Sequence, residues 1–138
     1  MIAVFLAEGF EEVEALTTVD VLRREDLEVK TVSVTEAKFV TGSHGIKVEA
    51  DLVKDEFSLD LCECLVLPGG MPGTLNLDGS PFVDEALKYM YENKRRIAAI
   101  CAAPLCLGRR GMLVGKSATC FPGFEKELAG AIIQRFLR

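Results

Sequence analysis

The sequence predicts an α/β protein: a doubly wound, mostly parallel sheet with helices on both faces. Short apolar runs alternate along the chain with longer amphipathic stretches, the pattern a parallel sheet with crossover helices requires. The runs are apolar at consecutive positions, as in strands covered on both faces. With 49% hydrophobic and 27% charged residues in a chain of 138, there is material for one compact core.

Taken in order, Ile2–Ala7 is a continuous apolar run and the first strand. Phe10–Arg24 places Val13, Leu16, Val19 and Leu22 at helical spacing and has arginines near its end. Val29–Val34 is β-branched and strand-like, and Phe39–Ala50 reads as a hairpin turning at Thr41-Gly42-Ser43-His44-Gly45. Cys64–Leu67 is a second buried strand that stops at Pro68-Gly69-Gly70. Pro81–Asn93 is helical, with its proline in the first turn. Ile97–Ile100 is a strand, Lys116–Cys120 another, and Phe124 onward is helical with Leu128, Ile132 and Phe136 on one face. Without internal repeats, low-complexity segments or linkers, residues 1–138 form a single domain.

Charge and composition exclude several classes. A formal net charge of −5 argues against nucleic acid or an anionic membrane surface as partner. No apolar run reaches the length of a bilayer span, and Met1–Ala7 lacks a preceding basic region, so a cytoplasmic protein is expected. The five cysteines, Cys62, Cys64, Cys101, Cys106 and Cys120, are an odd number with no disulfide framework. Cys62 and Cys64 are too close for a zinc knuckle, and His44, the one histidine, has no companion ligand. No metal or other cofactor is expected. Gly115-Lys116-Ser117 fails the spacing of a phosphate-binding loop, and prolines interrupt Gly69–Gly73 as a dinucleotide fingerprint.

The chemistry concentrates in Ile97-Ala98-Ala99-Ile100-Cys101-Ala102-Ala103-Pro104. An apolar strand enters a cysteine, and small residues and a proline open the next helix. A nucleophile elbow needs small residues two positions either side of the nucleophile, here Ala99 and Ala103. A helix beginning past Cys101 would favour the thiolate. The other account of Cys101 is a buried structural thiol. Two more segments should converge with it at the carboxyl edge of the sheet. One is Ala7–Glu14, the other Leu67–Gly73. Gly69 and Gly70 can turn their N–H groups toward a ligand as an oxyanion site, or simply make a turn. First-turn acids complement the helix dipole, which accounts for two of Glu11, Glu12 and Glu14. Glu14 shares a helix face with Thr18 and Val21, so it can point toward the sheet and share a proton with the thiol.

Together, Ala7-Glu8-Gly9-Phe10-Glu11-Glu12-Val13-Glu14, Val66-Leu67-Pro68-Gly69-Gly70 and Ala98-Ala99-Ile100-Cys101-Ala102-Ala103-Pro104 resemble the ThiJ/PfpI family. The resemblance covers residues 1 to 128 and lies in the branch that holds the Parkinson's-linked protein deglycase. It implies a flavodoxin-like fold related to class I glutamine amidotransferases, usually homodimeric. Cys101 would be the nucleophile, Glu14 its carboxyl partner, and the backbone at Gly70 and Ala102 the oxyanion site, with Gly69 beside them. The implied activities are hydrolytic removal of glyoxal-type adducts, cofactor-free conversion of glyoxals to hydroxy acids, and redox-stress protection with chaperone-like behaviour.

Three departures bear on that reading. Position 102 is alanine where the protease-like branch has histidine, and Phe121-Pro122 stands where other members have His-Pro. Peptidase chemistry and the amidotransferase triad are therefore not expected. The family also continues into a further strand and closing helix, where this chain ends at Ile132–Arg138, as a truncated member would. The leading expectation is a cysteine enzyme acting on small reactive carbonyls or glycated proteins. The competing ones are a redox sensor or chaperone using an oxidisable Cys101, and an inactive truncated member.

Overall fold

The computed structural model describes residues 1–135. The chain runs β1 (Ile2–Leu6), α1 (Glu12–Arg24), β2 (Val29–Ser33), β3 (Phe39–Thr41), β4 (Lys47–Glu49), β5 (Leu52–Val53), β6 (Cys64–Leu67), α2 (Gly73–Asp78), α3 (Pro81–Glu92), β7 (Arg96–Ala99), α4 (Pro104–Gly108), β8 (Ser117–Ala118) and β9 (Ile132–Ile133). The main sheet has the order β5-β2-β1-β6-β7, and every pairing in it is parallel. Ile2 lies opposite Val29 on one side and Cys64 on the other, and Leu67 pairs with Ala99. This is the flavodoxin-like, doubly wound arrangement expected. The carboxyl ends of β1, β6 and β7 are side by side.

Alternation along β1 sorts the core into two layers. Ala3, Phe5 and Ala7 join Leu65 and Leu67 against Leu77, Val83, Leu87, Met90 and Leu105 from α2, α3 and α4. Val4 and Leu6 face the other way, with Phe10, Ala15, Val19 and Val40 from the α1 side. Phe5 anchors the first layer, its ring 5.4 Å from Phe57 and 5.1 Å from Phe82. Burying a side chain of this kind contributes about 1.5–3 kcal/mol. α3 begins where Ser80 Oγ accepts the Val83 N–H and Pro81 takes the first helical position. Arg110 ties α4 to its neighbours by donating to Asp78 Oδ1 at 2.7 Å, Asp84 Oδ1 at 2.8 Å and the Cys106 carbonyl at 2.8 Å.

Several expectations need correction. The segment from Phe124 is not a helix: it makes one 3-10 turn at Glu125–Glu127 and then β9, which pairs in parallel with β8. Gly130, at φ +79, breaks any helical continuation. Leu128 is buried while Ile132 is exposed, and Phe136 lies outside the described residues. The strand expected over Lys116–Cys120 shrinks to β8 and stands in this separate small sheet. The buried stripe of α1 is Glu12, Ala15 and Val19, whereas Val13 is exposed. Cys62 is fully buried.

On the α1 side the sheet is covered over β1 and β2 but bare over β7. Ala98 is exposed and Ile100 is 54% exposed. A groove of about 360 Å³ there is bordered by Ile2, Thr18, Leu22, Cys64, Val66, Ala98, Ala99 and Ile100. Among the described residues β7 is an edge strand of the main sheet. No helix among them is long and apolar enough to cross a membrane.

Candidate active site

Cys101 sits immediately past β7 with φ +62, the left-handed region, which costs a non-glycine residue roughly 1–3 kcal/mol. Three backbone hydrogen bonds hold the turn: Ile100 N–H to Leu67 O at 3.3 Å, Ala103 N–H to Ile100 O at 3.0 Å and Phe121 N–H to Cys101 O at 2.7 Å. Ala102 and Ala103 are buried beneath it, so the small residues are there for room. The turn brings Cys101 against Gly69, where an added Cβ would lie 2.6 Å from Cys101 Cβ and 2.8 Å from Glu14 Oε2.

Glu14 enters from the first turns of α1. Its Oε2 accepts the Gly69 N–H at 2.7 Å, and the same carboxylate stands beside Cys101, since an added Cβ at Gly69 would meet both. Gly69 therefore orients Glu14, and the Gly70 and Ala102 N–H groups favour negative charge on the sulfur. Gly70, at φ +93, packs against the Glu11 N–H and could not carry a side chain there. Burial pushes the Cys101 thiol up, and the hydrogen bond and charge of Glu14 push it further. The Gly70 and Ala102 N–H groups pull the other way without reversing the outcome. The resting group is a thiol beside Glu14, not the thiolate expected from a helix dipole. α4, whose dipole was to favour the thiolate, spans only five residues and begins at Pro104.

A second cluster, which sequence reasoning missed, adjoins the first. Glu12 is buried, with 5% of its side chain exposed, and its Oε1 accepts the His44 N–H at 2.8 Å. Its Oε2 lies 3.1 Å from His44 Nδ1. Burial would raise the Glu12 carboxyl, but hydrogen bonds from its own N–H, the His44 ring and N–H, and the Ile46 N–H bring it down to about 2. That hydrogen bond to Glu12, with the charges of Glu11 and Glu12, raises the exposed His44 imidazole. His44 is a loop residue as expected, yet it is not alone. Ligand atoms of Glu11, Glu12 and His44 all lie within 4.8 Å of one another, the only such metal-capable cluster among the described residues. The available signal was the phase of α1, which puts Glu12 on the same stripe as Ala15 and Val19.

The other thiols sit in different surroundings. Burial raises Cys62, Cys64 and Cys120, and pushes Cys106 up to about 12.

The sequence pattern of the DJ-1/PfpI family matches residues 1–135. The chain belongs to that family. Among DJ-1/PfpI proteins, it is 38% identical to protein DJ-1 homolog B of Arabidopsis thaliana over 125 residues, which is 90% of this chain and 28% of the relative. The chain thus spans less than a third of that relative's length. A deglycase of Pyrococcus abyssi is 32% identical over 94% of this chain and 77% of its own length. Among solved structures, a DJ-1 superfamily protein of Salmonella typhimurium superposes with a TM-score of 0.91 at 34% identity, covering 96% of this chain and 72% of that one. The oxidized DJ-1 of Toxoplasma gondii gives 0.85 at 34% identity, over 91% and 69%.

Proposed function

We propose that this DJ-1/PfpI protein is a cofactor-free cysteine enzyme acting on glyoxal-type dicarbonyls or their adducts on proteins. The observation that carries the reading is the placement of Glu14, whose Oε2 accepts the Gly69 N–H at 2.7 Å beside the Cys101 side chain. An aldehyde carbon brought to Sγ is attacked as the thiol proton passes to Glu14. The C=O π pair becomes an alkoxide that the Gly70 and Ala102 N–H groups stabilise, and Glu14 returns the proton to give a hemithioacetal. For a free dicarbonyl, Glu14 then takes the proton from the former aldehyde carbon and delivers it to the neighbouring carbon, while the hydroxyl proton passes to the neighbouring oxygen, leaving a thioester. Water cleaves the thioester to a hydroxy acid and restores the thiol. One carbon is oxidised and its neighbour reduced, so no external redox partner enters. The deglycase name of the Pyrococcus abyssi relative supports the adduct substrate class. A homodimer is the assembly this reading takes from the family.

The test is methylglyoxal turnover by purified protein, followed by NMR detection of the hydroxy acid. Hydroxy acid formation that disappears in Cys101→Ala supports the mechanism, and turnover surviving in Cys101→Ala refutes it. A second reading rests on the same contact. A carboxyl group beside Cys101 would hold an oxidised sulfur by a shared proton, which suits a redox sensor. Intact mass after mild peroxide, with two oxygens gained on Cys101 only while Glu14 is present, would favour it.

A further inference from the structure

We infer that Glu12 is a positioning residue: by gripping the turn Gly42–Ile46 with a buried carboxylate, it holds the start of α1 in the place that sets Glu14 against Cys101. A first-turn glutamate normally faces solvent and complements the helix dipole from outside. Glu12 faces inward, and the hairpin turn is wrapped around it. Besides the His44 N–H and ring, its oxygens accept from Ile46 N–H at 3.4 Å and Ser43 Oγ at 3.4 Å. Gly42 closes the wrap, since a Cβ there would overlap the Glu12 carboxylate.

The same stretch of chain is bonded on both flanks. Toward the hairpin, Glu8 Oε1 accepts the Thr41 N–H at 3.0 Å, Gly9 N–H donates to Thr41 O at 2.8 Å and Ser43 N–H donates to Phe10 O at 2.8 Å. Toward the elbow, Glu11 N–H donates to Gly69 O at 2.9 Å and Gly73 N–H donates to Gly9 O at 3.0 Å. The segment Glu8–Glu12 is thus a bridge, and Glu14 stands one half-turn beyond it. If Glu12 lets go of the turn, the first turn of α1 is free to rotate and Glu14 Oε2 leaves the Gly69 N–H. Glutamine at position 12 has the right size but removes the charge, and its NH2 takes the place of the oxygen that faces Ser43 Oγ and His44 Nδ1.

The inference rests on Cys101 and Glu14 being a working pair, so the assay reads the thiol itself and not turnover. The pH profile of iodoacetamide alkylation at Cys101 is measured in the full chain, with thermal midpoints alongside. Because Glu14 raises the thiol, Glu14→Gln moves the alkylation midpoint to lower pH. Glu12→Gln should move it the same way by about half a unit, roughly a threefold faster reaction at neutral pH. Added to Glu14→Gln, it should move the midpoint no further. His44→Gln, at a side chain 70% exposed, keeps the backbone donors and should give a smaller shift in the same direction. A Glu12→Gln protein that loses thermal stability but keeps the wild-type midpoint overturns the inference, as does an added shift in the Glu14→Gln background. If Glu12→Gln does not fold, an unmoved midpoint in His44→Gln overturns it.

Discussion

Gly69→Ala probes the site through a single methyl group. Gly69 is not in the left-handed region, so alanine there brings no backbone strain, only crowding. The new Cβ would meet Cys101 Cβ at 2.6 Å, Glu14 Oε2 at 2.8 Å and Ile100 O at 3.0 Å. Two of these cannot give way: Cys101 Cβ is fixed to its turn, and Ile100 O is held by the Ala103 N–H. Glu14 can swing aside, at the loss of its bond to the Gly69 N–H. Overpacking costs about 1–3 kcal/mol and a hydrogen bond to a charged group about 1.5–3 kcal/mol, together about 2.5–6 kcal/mol. At about 3–4 °C per kcal/mol for a chain of this size, the thermal midpoint should fall by roughly 8–24 °C. The alkylation midpoint of Cys101 should fall with it, as Glu14 withdraws. Differential scanning fluorimetry and the iodoacetamide pH profile report the two effects. A thermal midpoint within about 2 °C of wild type, with an unchanged alkylation profile, would refute the proposed packing.

In acid, Glu12 contributes stability that is fully present above its ordinary value of 4.5 and lost as pH falls through that value toward about 2. Wild type should lose thermal stability over this window more steeply than Glu12→Gln, and parallel curves would refute the assignment. His44 acts in the opposite sense: its raised imidazole adds stability present below 6.5 and lost as pH rises past the raised value. Thermal midpoints of His44→Gln and wild type should therefore converge in alkali. Under native conditions iodoacetamide should label Cys101 first, since Cys62, Cys106 and Cys120 are buried and Cys64 lies in an apolar groove. Peptide mapping that finds Cys62 or Cys106 ahead of it would refute the site. The bare face over β7 should drive self-association, so sedimentation velocity should show a concentration-dependent mass, and a monomer at every concentration would count against it.

The main sheet was legible because its strands are uninterrupted apolar runs, and Cys64–Leu67 matches β6 residue for residue. The turn at Cys101 was legible because small residues on either side of it leave room for a sharp change of direction after an apolar strand. What escaped was context. The phase of α1 was misjudged because Val13 looks like core, whereas the buried position belongs to a charged residue whose partners come from a distant hairpin. The thiol's protonation escaped for a related reason: a short apolar run after Cys101 suggests a helix long enough to stabilise a thiolate, but only five residues are helical. At the far end, helical spacing of Leu128 and Ile132 gave way to Gly130, a single residue that outweighs the periodicity around it.

The bridge segment has a consequence for how the protein matures. The bond between Gly69 and Glu14 joins residues 55 apart, and that between His44 and Glu12 joins residues 32 apart. Contacts of such separation form only after the intervening chain has been ordered, so the carboxyl edge is among the last regions to be completed. A chain with its strands paired but its hairpin undocked would pass most tests of secondary structure while presenting an ordinary thiol. The chemistry of one sulfur atom is then a more stringent gauge of native assembly than the spectrum of the whole molecule. Misassembled copies would be told apart by how readily they are alkylated, not by how much sheet they contain.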